Sequence, residues 1–159
     1  MRVVIWLDDK DVGGNLPQII SDLADGMAIQ GHQVELMVKT QQLDSFPVKK
    51  ATKRAWFADE KPLIVADLLF SNSLRVLLDN QFQIEKLIWL VIDRDLKNSI
   101  EFYTENQLHD HIKVITLFKE DSNRLEEVGI KSNYLQPGLR LDKFKDIDKI
   151  TCSIGVAQY

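Results

Sequence analysis

The chain has 159 residues, 45% of them apolar and 28% charged, with a net charge of −4 and a single cysteine. This length and balance fit one soluble globular domain, and the acidic surplus argues against a general nucleic-acid surface, which would be basic. No run approaches the ~18 apolar residues of a membrane helix; the short apolar run 3–7 is too small for a signal peptide, and one cysteine forms no intrachain disulfide, so a cytoplasmic protein is expected.

Residues 2–7 read as a short buried strand. Residues 8–15 follow as a polar loop holding the adjacent Gly13 and Gly14. Over 16–30, Leu16, Ile19, Ile20, Leu23, Ala24, Met27 and Ala28 recur at three- and four-residue steps, the period of an amphipathic helix. Asn15 suits its N-cap, Pro17 its first turn, and Gly31 its C-terminal stop. Residues 33–39 read as a second strand. Residues 41–47 read as loop and a short strand is expected near 53–57. The cations Lys49, Lys50, Lys53 and Arg54 read as a solvated face rather than a binding patch. Residues 63–70 read as a buried strand broken by Asp67. Ser71, Asn72 and Ser73 then supply caps for a helix over 74–81. Residues 86–92 form the strongest buried strand, closed by Asp93, Arg94 and Asp95. A helix over 96–109, a strand over 112–118 and a short helix over 121–128 ended by Gly129 complete the series. Residues 140–149, rich in Asp and Lys, read as a linker, and 150–156 as a new strand in which Cys152 is a small buried hydrophobe.

This alternation predicts an α/β fold: a Rossmann-like, doubly wound, mostly parallel sheet with helices on both faces. It spans 1–139, and 140–159 is read as an interdomain linker and the first strand of a second domain. Such sheets bind ligands at the carboxyl ends of their strands. Gly13, Gly14 and Asn15 fall there, where glycine admits close backbone approach and a helix N-terminus favours anions or hydroxyl acceptors. The Gly-x-Gly-x-x-Gly dinucleotide fingerprint is absent, so no nicotinamide site is expected. Asp8, Asp9 and Asp11 could hold Mg²⁺ by their oxygens. They could also form the acidic pocket of a receiver-like signalling domain, with Asp67 as phosphoacceptor and Lys119 as its lysine; solvated charges beside a strand are the simpler reading. His109 and His111 have a chelating spacing but no third ligand nearby, and read as a surface helix end; His32 reads as structural. No Ser or Cys lies in a nucleophile-elbow motif.

In order along the chain, the Gly13-Gly14 loop, the helix with Leu23-Ala24 near its middle, and Gly31-His32-Gln33-Val34 resemble the start of GT-B glycosyltransferases. The likeness is greatest to the amino-terminal domain of the family-four, retaining enzymes. Downstream, the run from Tyr134 to Phe144 is similar to that family's interdomain segment, with Pro137, Gly138 and Phe144 at the family's spacing. The resemblance implies the acceptor-side half of a transferase that moves a sugar from a nucleotide-sugar donor to a glycan or other small-molecule acceptor, inactive alone. It implies no metal and no cofactor beyond the donor, which is held mainly by a second domain. Gly13, Gly14 and Asn15 would line the acceptor side and approach the donor phosphates, Asp93 would orient an acceptor hydroxyl, and Pro137, Gly138 and Phe144 would form the hinge. No catalytic residue is assigned and no nucleic-acid partner is implied; peripheral membrane association and self-association are compatible with it. The sequence departs from the family in two places. Arg140 replaces an acidic residue, and the end of the strand over 86–92 carries Val91, Ile92 and Asp93 where members often have histidine. Both departures favour an alternative, a non-catalytic module binding a glycan or a partner transferase.

Overall fold

The computed structural model describes residues 1–8, 14–56, 64–92 and 95–135. Seven strands are described: β1 (Arg2–Trp6), β2 (Gln33–Lys39), β3 (Thr52–Trp56), β4 (Leu68–Ser71), β5 (Lys86–Val91), β6 (Ile112–Thr116) and β7 (Asn133–Tyr134). Four helices accompany them: α1 (Leu16–Ile29), α2 (Leu74–Asp79), α3 (Leu96–Glu105) and α4 (Lys119–Glu127). The strands form one sheet in the order β3-β2-β1-β4-β5-β6-β7, and every neighbouring pair is parallel. This is the expected α/β, Rossmann-like architecture.

Right-handed crossovers decide which face each helix covers. α1 carries the chain from β1 toward β2; α2, α3 and α4 carry it the opposite way across the sheet. Accordingly, α1 packs Leu16, Ile20, Leu23 and Met27 against Val3, Ile5, Leu36 and their neighbours on one face. Leu74 and Leu77 of α2, Leu96 and Tyr103 of α3 and Leu125 of α4 pack with Val4, Trp89 and Val114 on the other. Because both faces are buried, the central strands read as continuous apolar runs rather than alternations.

α1 ends in a Schellman motif: the Gly31 N–H donates to Ala28 O (3.0 Å) and the His32 N–H to Met27 O (3.3 Å). Gly31 takes φ +95°, which its missing Cβ permits, and His32 is structural as expected. The start of α1 departs from expectation. Asn15 occupies the N-cap position but has helical φ/ψ (−87°, −3°) and makes no side-chain cap bond. Only an extended residue there aims its side chain back at the first amides.

Two further readings change. Of the strand read over 63–70, residues 64–67 precede β4, which begins at Leu68; the Asp67 carboxylate accepts the Arg2 N–H (2.7 Å) instead. Residues 133 and 134, not read as a strand, add β7 at the sheet edge. The chain segment 40–45, read as loop, is a 3₁₀ helix.

The basic stretch is used internally. Asp25 of α1 accepts backbone N–H bonds from Lys49 (2.9 Å), Lys50 (2.8 Å) and Ala51 (2.9 Å), so successive amides wrap one carboxylate as a nest. Lys53 Nζ donates to Leu43 O (2.8 Å) and Phe46 O (3.1 Å), and Arg54 pairs with Glu35 at 3.3 Å. Asp25→Ala is expected to cost about 1–3 kcal/mol, measured by urea unfolding, since it strands three amides at once.

Tyr103 donates its hydroxyl to Ile112 O (3.0 Å), and burial, with Asp110 nearby, pushes its pKa up to about 12. The folded state therefore holds this proton where the unfolded chain, at 10.0, has lost it. Stability from this group is intact below pH 10 and falls by roughly 2–3 kcal/mol as pH rises to 12. Tyr103→Phe should remove that loss in unfolding curves taken across the range.

Candidate functional site

Sheet growth reverses direction between β1 and β4, which lie side by side at its centre. At such a switch point the two loops leaving the strand ends part, and a crevice opens at the carboxyl edge. Here the crevice is pinned by a single side chain. Asn72, directly after β4, accepts the Asp8 N–H at Oδ1 (2.8 Å) and donates Nδ2 to Asp8 O (2.9 Å). The carboxamide imitates a peptide unit, extending the β1–β4 ladder by one rung beyond Trp6 and Ser71. Ser71 Oγ accepts the Ser73 N–H (3.1 Å), and Ser73 Oγ caps α2 through the Val76 N–H (3.4 Å). The three polar residues therefore divide the work that the sequence suggested they shared.

The other wall of the edge comes from the first turn of α1. Gly14 takes φ +59°. A Cβ at Gly14 would meet nothing within 4 Å, so the glycine is required for its backbone conformation rather than for space. Beside it lies a cavity of about 420 Å³ lined by Gly14, Asn15, Pro17, Gln18, Gln42, Ser45 and Pro47. Its second wall is the 3₁₀ segment that follows β2, and the chain beyond that segment is tied to α1 where Asp25 accepts the amides of residues 49–51. Among the described residues none that lines it is charged. Gln18 donates Nε2 to Asp22 Oδ1 (2.8 Å), which fixes the carboxamide and leaves Oε1 to face elsewhere. Asn15, having no cap bond, also presents its carboxamide at this edge.

Toward the β3 side, Trp6 and Trp56 stack at 4.8 Å, Trp56 Nε1 donates to Leu7 O (3.1 Å), and Lys39 Nζ lies 5.4 Å from the Trp56 ring centre. This cluster stiffens the carboxyl ends of β1, β2 and β3.

Gly14 and Asn15 both line the cavity. Gly13, Asp9, Asp11, Asp93, Pro137, Gly138, Arg140, Phe144 and Cys152 lie outside the described residues, as do the proposed linker and second-domain strand over 140–159. The receiver-like arrangement fails: Asp67 lies at the amino edge bonded to Arg2, and Lys119 covers the Tyr134 ring at 5.5 Å. A receiver also needs the strand order 2-1-3-4-5, which this sheet does not have. Among the described residues no group of three His, Cys, Asp or Glu could hold a metal ion. His109 instead sets its ring edge-on to Tyr103 at 4.9 Å. No described helix is long and apolar enough to cross a membrane.

The sequence reading missed Asn72 as a clamp and Gln18, Gln42 and Ser45 as lining. Asn72 did leave a trace: an amide directly after a buried strand, at the position that borders the switch point once the order of strands is known. No protein-family model matches the chain, and neither a curated protein nor a solved structure matches it.

Proposed function

We propose that the chain is the amino-terminal, acceptor-side domain of a GT-B glycosyltransferase, and that the cavity between the start of α1 and the segment after β2 receives a neutral, hydroxyl-rich acceptor. The observation that supports this reading best is the absence of charge among the described residues that line the cavity. Carboxamides and hydroxyls offer paired donors and acceptors, which suits sugar hydroxyls; a phosphate-rich ligand calls for Arg, Lys or a row of aligned amides. The two prolines add apolar walls for sugar C–H groups. On this reading the nucleotide-sugar donor is held chiefly by a second domain, and Gly13 and Gly14 meet its phosphates through their backbone.

A non-catalytic glycan-binding module is the second reading. Val91 and Ile92 are 0% and 4% exposed, so the end of β5 is committed to the core and offers no imidazole to the crevice. Both readings predict retention of neutral glycans on an array. Asn15→Ala and Gln18→Ala change exposed residues, so each should keep the fold and weaken that retention by about tenfold, the loss expected for a hydrogen bond worth roughly 1.4 kcal/mol. Unchanged retention in both variants would remove the cavity from the account.

A further inference from the structure

The β6–β7 ladder is interrupted. Ile115 pairs with Asn133 and Thr116 with Tyr134, and the Leu135 N–H donates to Thr116 O (2.8 Å). Successive residues of a strand turn their backbone groups to alternate sides, so Ile112, Val114 and Thr116 turn theirs toward β7. Continuing the register backward would add two bonds, from the Val114 N–H to Lys131 O and from the Lys131 N–H to Ile112 O. Neither forms, and β7 begins only at Asn133. The reason lies at the end of α4. There the Gly129 N–H donates to Glu126 O (3.0 Å) and the Ile130 N–H to Leu125 O (2.9 Å), and Ile130 is buried with Tyr103 and Leu125 on the α3 and α4 face. The cap holds residue 130 and the ladder holds residue 133, so the chain between them stands off from the start of β6.

The Tyr103 hydroxyl replaces one of the two missing bonds by donating to Ile112 O at 3.0 Å. The other is not replaced. Among the described residues the Val114 N–H has no acceptor and the Lys131 carbonyl has no donor. Val114 is only 2% exposed, and a buried peptide N–H without a partner is rare and costly. Both residues line a cavity of about 840 Å³, the volume of a small-molecule site. Its lining is apolar beside the strand, through Ile112, Val114 and Ile130, and polar at α4, through Ser122 and Glu126. Lys113 alternates with Ile112 and Val114, so its side chain lies on the opposite, α1 face with Ile115. Elsewhere in this sheet an amide already extends a ladder: the Asn72 carboxamide accepts one strand N–H and donates to one carbonyl beyond the β1–β4 pairing.

We propose that the gap binds a small neutral amide bearing a branched aliphatic group, of the class of N-acylated amino-acid amides. Its carbonyl accepts the Val114 N–H, its N–H donates to the Lys131 carbonyl, and its aliphatic group packs on Ile112 and Ile130. The Glu126 carboxylate on the same wall disfavours the corresponding acid. The site lies in the other half of the sheet from the α1 cavity and does not rest on the function proposed for that cavity.

The test is an amide NMR titration of the full chain with N-acetyl-leucinamide. Before addition, the Val114 amide should exchange with solvent faster than the ladder-bonded amides of Thr116 and Asn133. On addition, the Val114 N–H resonance should move downfield to saturation and its exchange should slow. N-acetyl-leucine, the acid, should bind more weakly. Glu126→Trp alters an exposed position of α4, so it should keep the fold, fill the cavity and abolish the response. Gln18→Ala, which acts in the α1 cavity, should leave the response intact. A Val114 amide as protected as that of Thr116, a Val114 resonance that N-acetyl-leucinamide does not move, or a response that persists in Glu126→Trp would overturn the proposal. An acid that binds as well as the amide would overturn it too. So would saturable binding of an extended valine-rich hexapeptide with no response to N-acetyl-leucinamide, which would make the gap a strand-docking edge.

Discussion

Asn72→Ala is expected to lower stability by about 2–4 kcal/mol and to abolish ligand retention at the α1 edge together with it. The carboxamide makes two bonds to one peptide unit, at 2.8 and 2.9 Å, and Asn72 is only 5% exposed. Truncation leaves both the N–H and the C=O of Asp8 without partners in a poorly solvated place, at roughly 1–3 kcal/mol for each stranded group. Asp8 is also the point at which the chain departs from β1 toward the Gly14 turn, so its release loosens one wall of the crevice. Asn72→Asp separates the two bonds: a carboxylate can still accept the Asp8 N–H but repels the Asp8 carbonyl. It should cost at least as much as alanine at neutral pH and less in acid, where a protonated oxygen can donate. Urea midpoints at constant slope measure both effects.

Trp89 gives the largest expected effect in the core, and its sign depends on the replacement. The side chain is 0% exposed and stacks on Tyr103 with centroids 5.5 Å apart. Trp89→Ala is expected to cost about 3–5 kcal/mol, the range for removing a buried aromatic side chain and leaving a void. The indole Nε1, however, finds no hydrogen-bond partner among the described residues. Trp89→Phe keeps a stacking ring and deletes that stranded donor, so lost volume and relieved desolvation oppose each other and the net change should be about 1 kcal/mol or less. A Phe variant as damaging as Ala would mean that the indole N–H is bonded after all.

Patterns set by one element were legible in the sequence. The stripe from Leu16 to Ala28 located α1 to within a residue, Gly31 marked its end, and the apolar run ending at Val91 located β5. These signals are local, because a helix repeats its contacts every few residues and a central strand is apolar throughout. What the sequence concealed depends on partners distant along the chain. Asn72 reaches Asp8 across 64 positions and Asp25 reaches the amides of 49–51 across 24 to 26. In sequence, each is an ordinary polar residue at a helix start or on a helix face. β7 was invisible for a related reason: two residues carry no periodicity, and only their register with Ile115 and Thr116 makes them a strand. The cavity needed both kinds of information, since α1 supplies one wall by its own pattern and the 3₁₀ segment 40–45 supplies the other only through tertiary docking.

The most direct test of the acceptor-side assignment is a calorimetric titration of the chain with the neutral glycan best retained on the array and, separately, with nucleotide sugars. The assignment predicts heat from the glycan, with an affinity about tenfold weaker in Gln18→Ala, and none from any nucleotide sugar. Saturable binding of a nucleotide sugar by this chain alone, with no heat from the glycan, would contradict it and make the switch-point crevice a self-sufficient nucleotide site.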